Sequence, residues 1–434
     1  MAIWIKGGTV VDPEKDALNT KDILIEHGRV VKILGPGGFK EEGGRLKVID
    51  ATDKIIVPGL IDMHVHLREP GHEYKETIAT GARAGVAGGF TALACMPNTD
   101  PVNDNRSVTE FILRQAHKAH LLRVYPVVAI TKGQKGETLT EFGDLRDAGA
   151  VGVSDDGFPV TDSEVMRRAI EYARYYGLTV ISHCEDIHLS YGGVMHEGTV
   201  STRVGLRGIP AASEEIMVQR EISLSKLTGC PVHIAHVSSA GSIALIKRAK
   251  EEGVRVTAET APHYFSLDHH AVIGYDTNAK VNPPLRTAED VEAIKKGLAE
   301  NIIDVIATDH APHSPLEKDL EFDKAASGMI GLETALPLTL ALVREGVLHL
   351  PQAMKKLSTN PASILGVEGG CLKEGGPADL AIFDPDYEYI LKPEDIQSKS
   401  KNSPFIGKPM KGINLLTMVG GRVVWRRGKH HIGG

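Results

Sequence analysis

Two histidines stand one residue apart at the end of an apolar run, Ile56-Val57-Pro58-Gly59-Leu60-Ile61-Asp62-Met63-His64-Val65-His66. Residues two apart on a strand face the same side, so His64 and His66 aim two imidazoles at one point. By itself such a pair suits two structural histidines as well as two metal ligands. Three other apolar runs settle the balance. The run 179–183 ends in His183, the run 231–236 in His236, and the run 304–309 in Asp309. A satisfied core histidine explains any one of these and poorly explains all of them at equivalent positions. His236, nearer its strand end than His233, is the expected ligand, and His233 is left to packing or support.

Imidazole nitrogens with carboxylates suit zinc and related divalent ions. Four histidines and Asp309 exceed what one tetrahedral ion takes, so two ions joined by a bridging anion are expected. The run 149–157 ends in Asp155-Asp156-Gly157 and offers two candidate bridges. It contains no lysine, so a carbamylated lysine has no residue to form on there. Arg68 lies two positions past His66 and starts on the ligand side of the chain. Its planar fork can hold a carboxylate with two bonds, against the plainer alternative of a surface ion pair with Glu69 or Glu73.

These residues need a frame that brings strand ends together. Strand-like runs at 56–66, 91–97, 123–130, 150–154, 179–183, 232–237, 255–259 and 304–308 alternate with helix-like stretches at 76–87, 108–119, 162–175, 212–227, 242–252 and 288–299. Strand–helix alternation implies parallel βα units. Eight units in about 300 residues suit a closed (β/α)8 barrel, whose active sites sit at the C-terminal strand ends, better than an open doubly wound sheet. The first 55 residues and the runs 378–383, 414–419 and 422–425 read instead as short strands between Gly and Pro turns. The expected class is therefore α/β: a TIM-like barrel over 56–365, with a small β-sandwich domain built from both chain ends, 1–55 and 366–434. The glycine pairs in 35–38 and 43–44 read as turns, because a phosphate loop must sit between a strand and a helix.

Composition narrows the function. The 434 residues are 42% hydrophobic, enough for an ordered core. With 49 Lys+Arg against 56 Asp+Glu and 5% aromatics, the chain lacks the basic footprint and stacking rings of a nucleic-acid binder. Cys95, Cys184, Cys230 and Cys371 are widely spaced, which reads as reduced thiols in a cytoplasmic protein. No apolar stretch approaches a membrane span, and the N-terminus does not read as a signal peptide.

Beyond these separate signals, four segments together carry a resemblance: His64-Val65-His66-Leu67-Arg68-Glu69-Pro70-Gly71, Met96-Pro97-Asn98-Thr99, Val281-Asn282-Pro283-Pro284-Leu285-Arg286, and Ala307-Thr308-Asp309-His310-Ala311-Pro312-His313. They resemble the signatures of the bacterial type I dihydroorotases of the amidohydrolase superfamily, and the resemblance spans essentially the whole chain. It implies reversible, zinc-dependent interconversion of (S)-dihydroorotate and N-carbamoyl-L-aspartate, the third step of pyrimidine synthesis. Many family members bridge two zinc ions with a carboxylated lysine. This chain is similar instead to the subgroup with an S/T-D-D-G segment, which gives the bridge to Asp156, with Asp155 in reserve. The implied ligand sets are His64, His66 and Asp309 for one ion and His183 and His236 for the other. Water activated between the ions would attack the ring amide, and Asp309 would carry its proton to the departing nitrogen.

The resemblance also implies substrate contacts from His66, Arg68, Asn98, Asn282 and His313, and through the backbone from Gly328 and Met329. For Asn98, ahead of Thr99-Asp100-Pro101, a turn-forming role competes. Ser327 stands where the family pattern has proline. His188, His196, His269, His270, His430 and His431 are assigned no metal. Two rival functions are another cyclic amidohydrolase, such as a hydantoinase or allantoinase, and a non-catalytic partner of aspartate carbamoyltransferase. Arg68 argues against the first, and the full ligand set against the second. A homo-oligomer is expected, and the resemblance admits association with aspartate carbamoyltransferase.

Overall fold

The computed structural model describes residues 2–39 and 46–428. The 43–44 turn, His430 and His431 lie outside the described residues.

Eight parallel strands form the barrel: Leu60–Val65, Phe90–Cys95, Arg123–Val128, Gly152–Val153, Thr179–Ser182, Val232–Ile234, Val256–Thr260 and Val305–Ile306, hydrogen-bonded in chain order. The ring closes between the last and first strands. His66 N donates to His310 O at 2.9 Å, and the buried Asp62 carboxylate accepts from Thr308 N at 3.2 Å. Strand alternation makes the barrel two-sided. On the second strand Leu93 and Cys95 face the helix layer, while Ala94 packs in the interior with Met63, Val127, Ile181 and Val305.

Helices Ile78–Gly88, Arg106–Ala119, Ser163–Tyr176, Ala212–Thr228, Ala240–Glu251, Ala288–Ala299 and Ala335–Arg344 wrap the outside. Several begin at caps visible in the sequence. The side chains of Thr77, Asn105, Asp162, Ser239 and Thr287 each accept a backbone N–H of the first turn.

The apolar run 56–66, read as one strand, is two. Ile55–Pro58 belongs to the terminal sheet, pairing with Ala2–Asp12 and Leu380–Ile390, and Leu60–Val65 opens the barrel. Gly59 is the joint. Its N donates to Asp379 O, and a Cβ there would lie 2.2 Å from Thr91 Oγ1.

Both chain ends do build one β unit with its own core, including Ile5, Ile23, Ile49, Ile56, Leu380 and Leu416. Its eight strands are hydrogen-bonded as one continuous sheet. Ala2–Asp12 pairs first with Leu46–Asp50 and then with Ile55–Pro58, and its register against Ala17–Glu26 shifts between Ile5 and Gly8, where that change of partner falls. Gly8 permits this, because a Cβ would meet Ile56 Cδ1 at 2.4 Å.

Candidate functional site

The barrel carries its chemistry at the C-terminal strand ends. His64 and His66 close the first strand, Asp156 follows the fourth, His183 the fifth, His236 the sixth and Asp309 the eighth. Their ligand atoms form two groups that share one residue: His64, His66 and Asp156, and Asp156, His183 and His236. All three atoms of each group lie within 4.8 Å of one another. Asp156 Oδ1 is 3.3 Å from His64 Nε2, 3.6 Å from His183 Nδ1 and 3.4 Å from His236 Nε2. Asp156 Oδ2 is 3.5 Å from His66 Nε2. Asp309 Oδ1 flanks the first group, 3.1 Å from His66 Nε2 and 3.7 Å from His64 Nε2. Backbone strain collects here: Arg68, His236 and Asp309 have φ of 61°, 32° and 48°.

Asp155 and Asp156 are neighbours with opposite tasks. Asp155 accepts from Ile130 N at 2.8 Å, Thr131 N at 3.1 Å and the Thr131 hydroxyl, so it ties down the end of the third strand. Asp156 alone faces the histidines.

The far nitrogens of three histidines are held by side chains. Glu259, on the seventh strand, takes His64 Nδ1 at 2.6 Å and His233 Nε2 at 3.2 Å. Glu185 takes His183 Nε2 at 2.7 Å and accepts from Asn282 Nδ2 at 2.9 Å. The amide oxygen of Asn98 takes His66 Nδ1 at 2.8 Å. An acceptor on one ring nitrogen fixes the tautomer and presents the other to the centre. Glu185 and Glu259 escaped the sequence reading. Glu259 ends a strand-like run, which was the available signal, but its partner sits 195 residues earlier. His233 falls to support, as expected.

The donors fit a divalent cation. His64 Nε2 and Asp156 Oδ1 are buried with no hydrogen-bond partner, and both face the shared point. Burial alone would lower the His64 and His183 pKa values. Asp156 with Glu259, and Asp156 with Glu185, outweigh it, raising His64 well above its ordinary value and His183 to about 10. Burial would likewise raise the Asp156 and Asp309 carboxyls, yet the imidazoles hold both below the carboxylate range. The cluster thus has a negative field that protons balance. A divalent cation satisfies the same field and leaves the imidazoles neutral to act as ligands.

Above the groups opens a cleft of about 340 Å³ lined by His66, Arg68, Asn98, Asn282, Asp309, His313 and Gly328, among others. Arg68 is buried, with Nε donating to Pro312 O at 3.2 Å and Nη2 lying 3.3 Å from His313 Nε2. Burial, reinforced by Arg68, pushes His313 down to about 2, so its ring is neutral. Met329, expected beside Gly328 at the substrate, is buried and does not line the cleft. Its backbone is taken up by the last strand's extension, where Ala311 N donates to Met329 O at 2.9 Å. His196 packs against His269, with Nδ1 3.4 Å from Arg286 Nη1, and belongs to neither ligand group.

Fold and centre together define a class: a (β/α)8 barrel of amidohydrolase type, with a histidine–carboxylate centre suited to divalent cations. Residues 53–242 match the family model described as Dihydro-orotase-like. The chain is 55% identical to the dihydroorotase of Geobacter metallireducens, over 98% of this chain and 100% of that one. It is also 55% identical to that of Pelotomaculum thermopropionicum, over 98% of each. The chain belongs to the dihydroorotase family. Among solved structures it is similar to the L-hydantoinase of Arthrobacter aurescens, with a TM-score of 0.87 and 26% identity over 98% of this chain and 96% of that one. The dihydropyrimidinase of Brevibacillus agri, at 23% identity and a TM-score of 0.83 over 98% of this chain and 95% of that one, shares the fold.

Proposed function

We propose that this chain interconverts (S)-dihydroorotate and N-carbamoyl-L-aspartate. The observation that carries the reading is the buried Arg68 guanidinium in the same cleft as the two ligand groups. A ring that bears a carboxylate gives that cation a partner. A plain hydantoin would leave it buried and unpaired, which is costly. This separates the reading from the hydantoinase activity that the structural neighbours' names suggest.

In this reading the ions are zinc and number two. His64, His66 and Asp309 would hold one, His183 and His236 would hold the other, and Asp156, common to both ligand groups, would serve each. Bound zinc supplies acidity to water and polarises the amide carbonyl. The residues do the rest. Arg68, with His313 beside it and Asn282 lining the same cleft, would hold the ring carboxylate and so set the amide over the centre. Asn98 keeps His66 in orientation. The Asp309 carboxyl is ionised, faces the cleft, and takes a proton from the attacking water. It returns that proton to the ring nitrogen as the C–N bond breaks. Ring closure uses the same aspartate in reverse. We place the activity in the cytoplasm; no helix among the described residues is long and apolar enough to cross a membrane. Self-association, and association with aspartate carbamoyltransferase, complete the proposal.

The test is hydrolysis of dihydroorotate by the purified chain after chelation and again after zinc is restored, with hydantoin and dihydrouracil in parallel. Zinc-dependent turnover of dihydroorotate alone is expected. Preference for the rings without a carboxylate would replace this reading with the hydantoinase one.

A further inference from the structure

Asn402 lies on an irregular strap, residues 391–408, that joins strands Leu380–Ile390 and Pro409–Val419 of the terminal sheet. The strap bonds to the segments that follow the first and eighth barrel strands. Asn402 is 5% exposed and does not line the cleft. Its Nδ2 donates to Ala311 O at 3.0 Å and to Gly328 O at 3.1 Å, and its Oδ1 accepts from His313 N at 3.0 Å. Two carbonyls and one N–H admit only this orientation of the amide. Its own carbonyl accepts from Ile330 N at 3.0 Å. One residue therefore ties the loop after the eighth strand to the loop that carries Gly328. These two loops form the wall around Arg68, whose Nε bonds Pro312 O, between the two residues that Asn402 grips. The strap has separate anchors away from the cleft: Lys399 N donates to Glu76 Oε1 at 3.0 Å, and Ser400 Oγ to Lys75 O at 2.7 Å.

We propose that Asn402 is a positioning residue for the carboxylate-binding side of the cleft, setting His313 and Gly328 against Arg68 without touching substrate. The proposal rests on the dihydroorotase reading above. A buried amide that serves three partners in two loops exceeds what fastening the strap requires, because Glu76 and Lys75 already do that. An apolar residue there would leave Ala311 O and His313 N without their partner and would leave Gly328 O to Lys318 Nζ alone, at 2.9 Å.

The test uses the zinc-loaded full chain and dihydroorotate. Asn402→Asp is near-isosteric and sets a carboxylate against two carbonyls; Asn402→Ala removes all three bonds. In either variant KM is expected to rise about tenfold, the cost of unsatisfied buried groups, with kcat changed less than about threefold and zinc content unchanged. Ser400→Ala, which loosens the strap elsewhere, leaves KM as it was. In a double-mutant cycle with His313→Ala, the Asn402→Ala effect shrinks, because both act on one wall. Unchanged KM in Asn402→Asp, equal losses in Ser400→Ala, or full additivity with His313→Ala overturns the proposal. If Asn402→Ala melts below the assay temperature, Asn402→Asp decides. A wild-type chain that does not turn over dihydroorotate overturns the reaction itself, a distinct result from an active wild type with indifferent variants.

Discussion

Asp309 stands where the first ligand group meets the cleft, and its two tasks can be separated. Asp309→Asn keeps the volume and a coordinating oxygen but cannot carry a proton. Turnover is expected to fall by about 10²–10⁴-fold while melting temperature and circular dichroism hold. Near-normal turnover would remove Asp309 as the proton carrier. The aspartate pair makes a sharper contrast. Asp156→Ala should lower zinc content, read by elemental analysis, since it strips one ligand from each group. Asp155→Ala should leave zinc content unchanged and lower the melting temperature, because Ile130 N and Thr131 N lose their acceptor. The reverse pattern would reassign the bridge. Arg68→Met should weaken dihydroorotate binding by about 1.5–3 kcal/mol, the range for a hydrogen bond to a charged group, and show chiefly in KM.

At the scale of elements, the strap is held at its root by Glu333, whose carboxylate accepts from Gln397 N at 2.7 Å and Ser398 N at 3.2 Å. Burial pushes this carboxyl up to about 7 from its ordinary 4.5. The unfolded chain loses the proton near the ordinary value and the folded chain near 7. Between the two pH values the folded state holds more protons, so this residue's contribution to stability falls as pH rises. Glu333→Gln removes the charge and keeps an acceptor. Its melting temperature relative to wild type should rise between about pH 5 and about pH 8; a flat difference would deny the shift. The strap also marks where the sequence stopped being informative. Strand ends were legible because each closes an apolar run with a residue of definite chemistry, as in 179–183 and 304–309. Asn402 sits among Ser and Lys residues and looks like any loop amide; its meaning comes from partners 91 and 74 residues away. The run 56–66 failed in a different way. Apolar continuity announces strand without saying in which sheet, and the break shows only in the pairing of Ile55–Pro58 and Leu60–Val65 with different sheets on either side of Gly59.

At the scale of the whole molecule, barrel and terminal sheet meet at Gly59. Its N bonds Asp379 O, and its carbonyl accepts from Ser358 Oγ at 2.6 Å. Gly59→Ala forces a methyl into the Thr91 side chain and should cost about 1–3 kcal/mol, as overpacking does, read as a lower urea midpoint. A midpoint equal to wild type would show that the joint has slack. The same junction bears on how the molecule is made. Ile55–Pro58 is flanked on one side by Ala2–Asp12 and on the other by Leu380–Ile390. Domains emerge from the ribosome N-terminal end first, so the first neighbour is available early and the second only after every barrel strand has been synthesised. Throughout that interval Ile55, Ile56 and Val57 present an apolar open edge, the feature that recruits other chains. Chaperone capture of the nascent chain is expected at this edge, relieved when residues 380–383 leave the exit tunnel.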